Sequence, residues 1–340
     1  MTGPNLLRKL LQARAFDHFP TNTNLSDLHV PFDALTGTSN YEAPLAASLR
    51  RGQRAAVIGP SGAGKSSIIN YVLNPLALGI QPIPVPIYND SDVATDVTAF
   101  VKHLTATLRE LAEEAAPSRA RRLPGRPRGQ RTVSKTLTGG FDVKILNLQV
   151  ARDVQEVAKE QPQSRAAVLT QAQEILDIFR EQRLVPVIVL DDTDRWIQDP
   201  AHPAADHRAE TFFRDVLRTI PDSLDCGLVV AVHNSYISSR GWTAARTVMT
   251  DLIELPKLPN PAALGSILLA RAQATLQPPP ATVDQIIDLA ALDRLFSRYE
   301  TDTPPSILRS ALTTAHRALV LADAAGAITI RVQDIDNART

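Results

Sequence analysis

The run Gly59-Pro60-Ser61-Gly62-Ala63-Gly64-Lys65-Ser66 constrains this chain more than any other feature, because it fits the pattern G-x-x-x-x-G-K-[ST]. A short apolar run, Arg54 to Ile58, enters it, and Ser66 to Leu73 leave it as a helix that stops before Pro75. Strand, glycine-rich loop and helix in this order make a P-loop. The glycines let successive backbone N–H groups curl around a β-phosphate at a helix N-terminus, where the dipole also favours an anion. Lys65 is expected on the β- and γ-phosphates and Ser66 on Mg²⁺. The phosphate-binding set is then Gly59, Pro60, Ser61, Gly62, Ala63, Gly64, Lys65, Ser66 and Ser67. The implied ligand is a nucleoside triphosphate with Mg²⁺, ATP in the first instance. A glycine-rich surface turn would share the letters but not the flanking strand and helix.

A second element lies at Val187-Ile188-Val189-Leu190-Asp191-Asp192-Thr193-Asp194, where four apolar residues bury a strand and acidic residues follow at its carboxyl end. Ligands sit at that edge of parallel sheets. Asp191 is the expected Mg²⁺ residue, through a coordinated water, and Asp192 the one that polarises the attacking water. The same acidic run would also serve to cap a following helix. Gly227 to Val232 forms a third strand ending in His233-Asn234-Ser235. Asn234 carries the donor and acceptor needed to orient a water or touch a γ-phosphate, and it is equally a turn former. His233 has no partner histidine at ligand spacing and reads as a strand-end residue.

Strand-like runs alternate with helical periodicity from about residue 50 to residue 257, the signature of a parallel sheet covered by helices. Further strands are expected at Ile83 to Tyr88, where Pro82, Pro84 and Pro86 leave only an end to pair, and at Leu252 to Leu255. Amphipathic helices are expected across Val93 to Leu111 and Ser164 to Gln182. Between them, residues 117–131 hold six arginines among prolines and glycines, an exposed loop, and residues 132–150 read as an inserted β-hairpin. Past residue 257 the pattern turns helical, with stripes at Ala262 to Leu276, Val283 to Phe296 and Ser306 to Leu321. A short strand at Thr329 to Val332 and a helical turn capped by Asp334 close it. The expected organisation is a core over residues 1–257 and a helical domain over 258–340.

Composition narrows the rest. The 36 basic and 36 acidic residues cancel, so no global field draws the chain to nucleic acid or an anionic membrane. The single cysteine, Cys226, excludes an intramolecular disulfide and any cysteine-built metal site, and points to a reducing, cytoplasmic setting. The polar start and the lack of a long apolar run predict a soluble chain with no membrane segment.

The order of strand, P-loop, D-D-x-D strand end, Asn-ended strand and helical C-terminal region resembles an AAA+ ATPase over nearly the whole chain. The fold this implies is α/β: a P-loop parallel-sheet AAA+ core with an inserted β-hairpin, followed by a small helical lid domain. Within that superfamily, Thr303-Pro304-Pro305-Ser306-Ile307-Leu308-Arg309-Ser310-Ala311-Leu312 looks like the lid of archaeal origin-recognition initiators and related STAND-like ATPases. By that similarity Arg309 is a sensor arginine on the γ-phosphate, and residues from Phe19 to Leu45 wrap the adenine. A neighbouring subunit's arginine finger is implied too, with Arg246 the first candidate and Arg240 the second. The chain departs from the pattern in carrying Asp192 where many relatives have Glu, which implies slow hydrolysis, and in leaving no room for a C-terminal winged helix.

Three purposes fit these residues. The first is an ATP-hydrolysing switch that couples ATP or ADP to self-association or a protein partner. The second is a nucleic-acid-binding ATPase, with DNA a possible partner, using Arg119, Arg121, Arg122, Arg126, Arg128 and Arg131 on phosphates, although no aromatic residue interleaves with them. The third is a non-hydrolysing nucleotide-dependent scaffold.

Overall fold

The computed structural model of the chain describes residues 6–17, 25–74, 79–87, 92–115, 164–191, 193, 205–302 and 307–338. The arginine-rich loop, the expected hairpin and Asp192 lie outside the described residues. These residues form two compact units: one holds those up to Glu42, Pro60–Tyr71 and those from Leu255 on, and the other holds Ala43–Gly59 and those from Val72 to Glu254.

The second unit is built on one parallel sheet of β1 (Arg54–Ile58), β2 (Ile80–Pro84), β3 (Val185–Leu190), β4 (Gly227–Val232) and β5 (Asp251–Glu254). Their spatial order is β2-β3-β4-β1-β5. Apart from Arg54 at the start of β1, the three inner strands are unbroken apolar runs, as both faces are covered. The helices Val97–Ala115 and Arg165–Glu181 supply Phe100, Leu104, Leu108, Ile175 and Phe179 to the core that holds Ile188, Leu190, Leu228 and Val230. Ser164 starts the second helix by accepting from Ala167 N at 3.3 Å.

Two helical pieces, Ala205–Thr211 and Leu217–Ser223, are joined by a π-turn at Phe212–Val216. The widened turn lets the adjacent Phe212 and Phe213 both be fully buried. Phe213 packs edge-on against Trp242, with ring centres 5.5 Å apart.

Strand β2 begins three residues before the expected Ile83 and pairs along its length with β3, from Ile80↔Val185 to Pro84↔Val189. The prolines do not prevent this. Val85 N donates to Val189 O at 3.0 Å, so alternate residues 81, 83 and 85 turn their N–H groups toward β3. Pro82 and Pro84 fall on the other parity, at the open edge of the sheet, where no donor is needed. Pro186 in β3 precedes the first rung to β4, Val187↔Gly227, and removes none.

The first unit is helical. Leu7, Leu10 and Phe16 share a core with Leu264 and Leu268 of Pro261–Thr275, Leu292 and Leu295 of Leu289–Thr301, Leu319 of Leu308–Ala324, and Ile335 of Val332–Asn337. The N-terminal helix Leu6–Gln12 thus belongs to the same core as the C-terminal helices. Buried Arg271 ties it down: Nε donates to Ala15 O at 3.0 Å and a terminal nitrogen to Asp17 O. Burial lowers its pKa to about 10, against the opposing charge of Asp17, so the guanidinium stays charged at neutral pH.

Two expectations in this unit are corrected. The stripe from Val283 to Phe296 is a 3₁₀ turn, Val283–Gln285, and a separate helix, Leu289–Thr301. Ile286 and Ile287, both fully buried, break out between them. The segment Thr329 to Val332 forms a single bridge, Ile287↔Ile330, instead of a strand. Asp334 caps the last helix from inside its first turn, accepting from Arg331 N at 2.9 Å.

Candidate functional site

Gly59 extends the ladder one step past β1 by donating to Val232 O of β4 at 3.1 Å. The chain then leaves the sheet. Gly62 (φ 80°) and Gly64 (φ 107°) take left-handed backbone, and the helix Lys65–Val72 begins immediately. Ala63 N donates to Pro60 O at 3.3 Å, and Lys65 Nζ donates to the same oxygen at 2.9 Å. Lys65 is buried, and its ammonium folds back over the loop. Asn70 Nδ2 donates to Ser66 O at 2.7 Å, one turn on.

The loop has close neighbours within its own unit. Arg309 N, at the start of Leu308–Ala324, donates to Gly62 O at 3.2 Å. A Cβ on Gly62 would lie 2.7 Å from Arg309 Cβ and 3.0 Å from Ile307 Cγ2. The Arg309 side chain itself is exposed. Phe32 presses from the N-terminal segment: a Cβ on Gly64 would lie 3.2 Å from Phe32 Cζ.

Phe32 is fixed by Glu42, whose Oε1 accepts from Phe32 N at 2.7 Å and whose Oε2 accepts from Asp33 N at 2.9 Å. The same carboxylate lies 3.0 Å from His29 Nε2, and His29 Nδ1 lies 2.9 Å from Ser67 Oγ. Burial works against ionisation of Glu42, but the hydrogen bond from His29 and those from the two backbone N–H groups outweigh it. Its pKa lies below the ordinary value. No motif in the sequence singles out His29, Phe32 or Glu42. His29 and Ser67 are 38 positions apart, and no spacing rule connects them.

In the sheet unit, Asp191 follows directly on β3 and is partly buried. Two residues on, buried Thr193 donates its hydroxyl to Ala231 O of β4, which ties the end of β3 to its neighbour. Asn234 opens a 3₁₀ turn, Asn234–Tyr236, after β4 and is exposed. His233 caps that turn, its Nδ1 accepting from Ser235 N at 3.2 Å, which accounts for a histidine there without a metal. The carboxyl edge of the sheet therefore brings together Gly59, Asp191, and His233 with Asn234. Arg240 and Arg246 bound the helix Arg240–Arg246, and both are exposed.

A sheet ordered β2-β3-β4-β1-β5, with a P-loop after β1 and an acidic end on β3, defines an AAA+ α/β fold. The particular likeness is to archaeal origin-recognition proteins. The Aeropyrum pernix ORC2 protein in its ADP form superposes with a TM-score of 0.52 at 15% identity, over 96% of this chain and 71% of that one. The ORC1 protein of the same organism, in complex with DNA, gives 0.50 at 15% identity, over 93% and 68%. No protein-family model and no curated protein sequence matches the chain. Among the described residues, no helix is long and apolar enough to cross a membrane.

Proposed function

We propose that this chain is a Mg²⁺-dependent ATPase of AAA+ type that works as a nucleotide-controlled switch. The observation that carries the reading is the close approach of the Arg309 backbone to Gly62, which sets the first turn of a C-terminal helix directly on the P-loop. A γ-phosphate held by this loop would bias that helix, and only a contact that differs between ATP and ADP can shift a conformational equilibrium.

The residues suit the groups assigned to them. Gly62 and Gly64 leave a loop with no side chain on its inner turns, and Lys65 is the ammonium for the β- and γ-phosphates. Ser66 and Asp191 offer the hard oxygen donors that Mg²⁺ prefers, the carboxylate through a water. Bound Mg²⁺ would neutralise charge on the phosphate oxygens. Asp192 would polarise the attacking water and Asn234 orient it, while Arg309 would meet the γ-phosphate. Arg246 or Arg240 would act across a subunit contact, so the active form would be an oligomer. The buried free cysteine suits a cytoplasmic protein.

A DNA-stimulated form of the same ATPase draws support from the similar ORC1 structure, which is a complex with DNA. Its contacts would fall to the arginines of residues 119–131. Steady-state ATP turnover by the purified protein, alone and with duplex DNA, tests both readings against Lys65→Ala. Turnover lost in Lys65→Ala supports the ATPase, and acceleration by DNA supports the second form. Tight Mg²⁺-dependent ATP binding with no turnover under either condition would instead mean a scaffold that reads nucleotide without hydrolysing it.

A further inference from the structure

The P-loop is tied at two points to one buried carboxylate. Glu42 fixes the backbone of Phe32, whose ring lies against Gly64, and it holds His29, whose other nitrogen reaches Ser67. Lys65 and Ser66, the lysine and hydroxyl of the motif, lie between those two points. The His29 side chain is 2% exposed and that of Glu42 8%. A polar chain this deep is stiff, because a member that loses its partner cannot turn to water. With Nε2–H pointing at the carboxylate, Nδ1 is left to accept from the Ser67 hydroxyl, so the ring bridges the two side chains.

We infer that His29 and Glu42 are positioning residues that hold the first turn of the P-loop helix in its nucleotide-binding orientation, an inference that rests on the loop being a nucleotide site. Phosphate recognition at a helix start depends on the aim of its free N–H groups. Ser67 is the third residue of that helix. Rotating its turn swings the N–H groups of Lys65 and Ser66 with it. A link from Ser67 through His29 to Glu42 resists this rotation, and the Phe32 ring keeps the entry turn at Gly64 from sliding. A network that served only to anchor residues 29–42 would have no need to end on the P-loop helix.

The test is a thermodynamic cycle on His29→Ala, Ser67→Ala and the double variant in the full chain. It reads the Kd for a fluorescent ATP analogue with Mg²⁺, together with the melting temperature without nucleotide. Each single variant is expected to weaken binding about tenfold, and the double variant no more than the weaker single, because both break one link. Nucleotide-free melting should fall by similar small amounts in all three. Single variants that bind within twofold of wild type overturn the inference, and so do losses that multiply in the double, since Ser67 would then act on nucleotide alone. Should His29→Ala fail to fold, His29→Gln takes its place in the cycle with the same two criteria. Wild-type protein that fails to bind the analogue overturns the nucleotide-site reading and this inference with it, whereas binding by wild type that every variant matches overturns the inference alone.

Discussion

Gly64 shows how tightly single residues are set around the loop. Its φ of 107° is strained for any L side chain, and the space a Cβ would take is already bounded by Phe32. Gly64→Ala should cost more than about 1 kcal/mol in urea unfolding and abolish Mg·ATP binding. Glu42 makes a second residue-level prediction. Its pKa is lower folded than unfolded, so its contribution to stability is complete above the ordinary carboxylate range and is lost as pH falls through the folded value. The stability gap between wild type and Glu42→Gln should therefore be widest near neutral pH and shrink on acidification, as read by urea midpoints at a series of pH values. Cys226 is buried, and burial raises its thiol pKa to about 12, against the pull of Arg180 and Arg54. It should resist iodoacetamide in the native state and react once urea unfolds the sheet. Lys65 and Ser66 could be proposed from the sequence because four fixed letters make up the motif. His29 and Glu42 could not, because their role depends on contacts that only folding makes.

Among the elements, the inner strands were readable because burial on both faces leaves them continuously apolar: Gly227 to Val232 was placed to the residue. Strand β2 was misread because its prolines were counted as lost donors without regard to parity. Whether a proline costs a rung depends on which way its nitrogen faces, and that follows from the pairing partner. The break at Ile286 and Ile287 was hidden for a similar reason, since apolar residues at helical spacing also fit a turn followed by a helix. The π-turn allows the sharpest element-level test. Phe213 is fully buried among Phe212, Tyr236 and Trp242, with ring centres 5.3, 5.6 and 5.5 Å away. Phe213→Ala should destabilise the protein by about 3–5 kcal/mol in equilibrium unfolding, as expected for a large aromatic lost from a packed core.

At the scale of the whole molecule, the sequence suggested a core and a lid along the chain, and the packing groups the P-loop turn and the N-terminal segment with the C-terminal helices. Chain order conceals this, because Leu7, Leu10, Ala15 and Phe16 reach a core whose next buried member, Leu258, follows some 240 residues later. A ligand that binds only the folded chain stabilises it by mass action, about 2.7 kcal/mol at a hundred times its Kd. Each of the proposed roles requires the P-loop to be a nucleotide site, and the direct measurement is calorimetric titration of Mg·ATP into wild type and Lys65→Ala. Saturable binding to one site is expected in the wild type and should disappear in Lys65→Ala. No heat of binding in the wild type, or equal binding by both proteins, would contradict a nucleotide site at the loop.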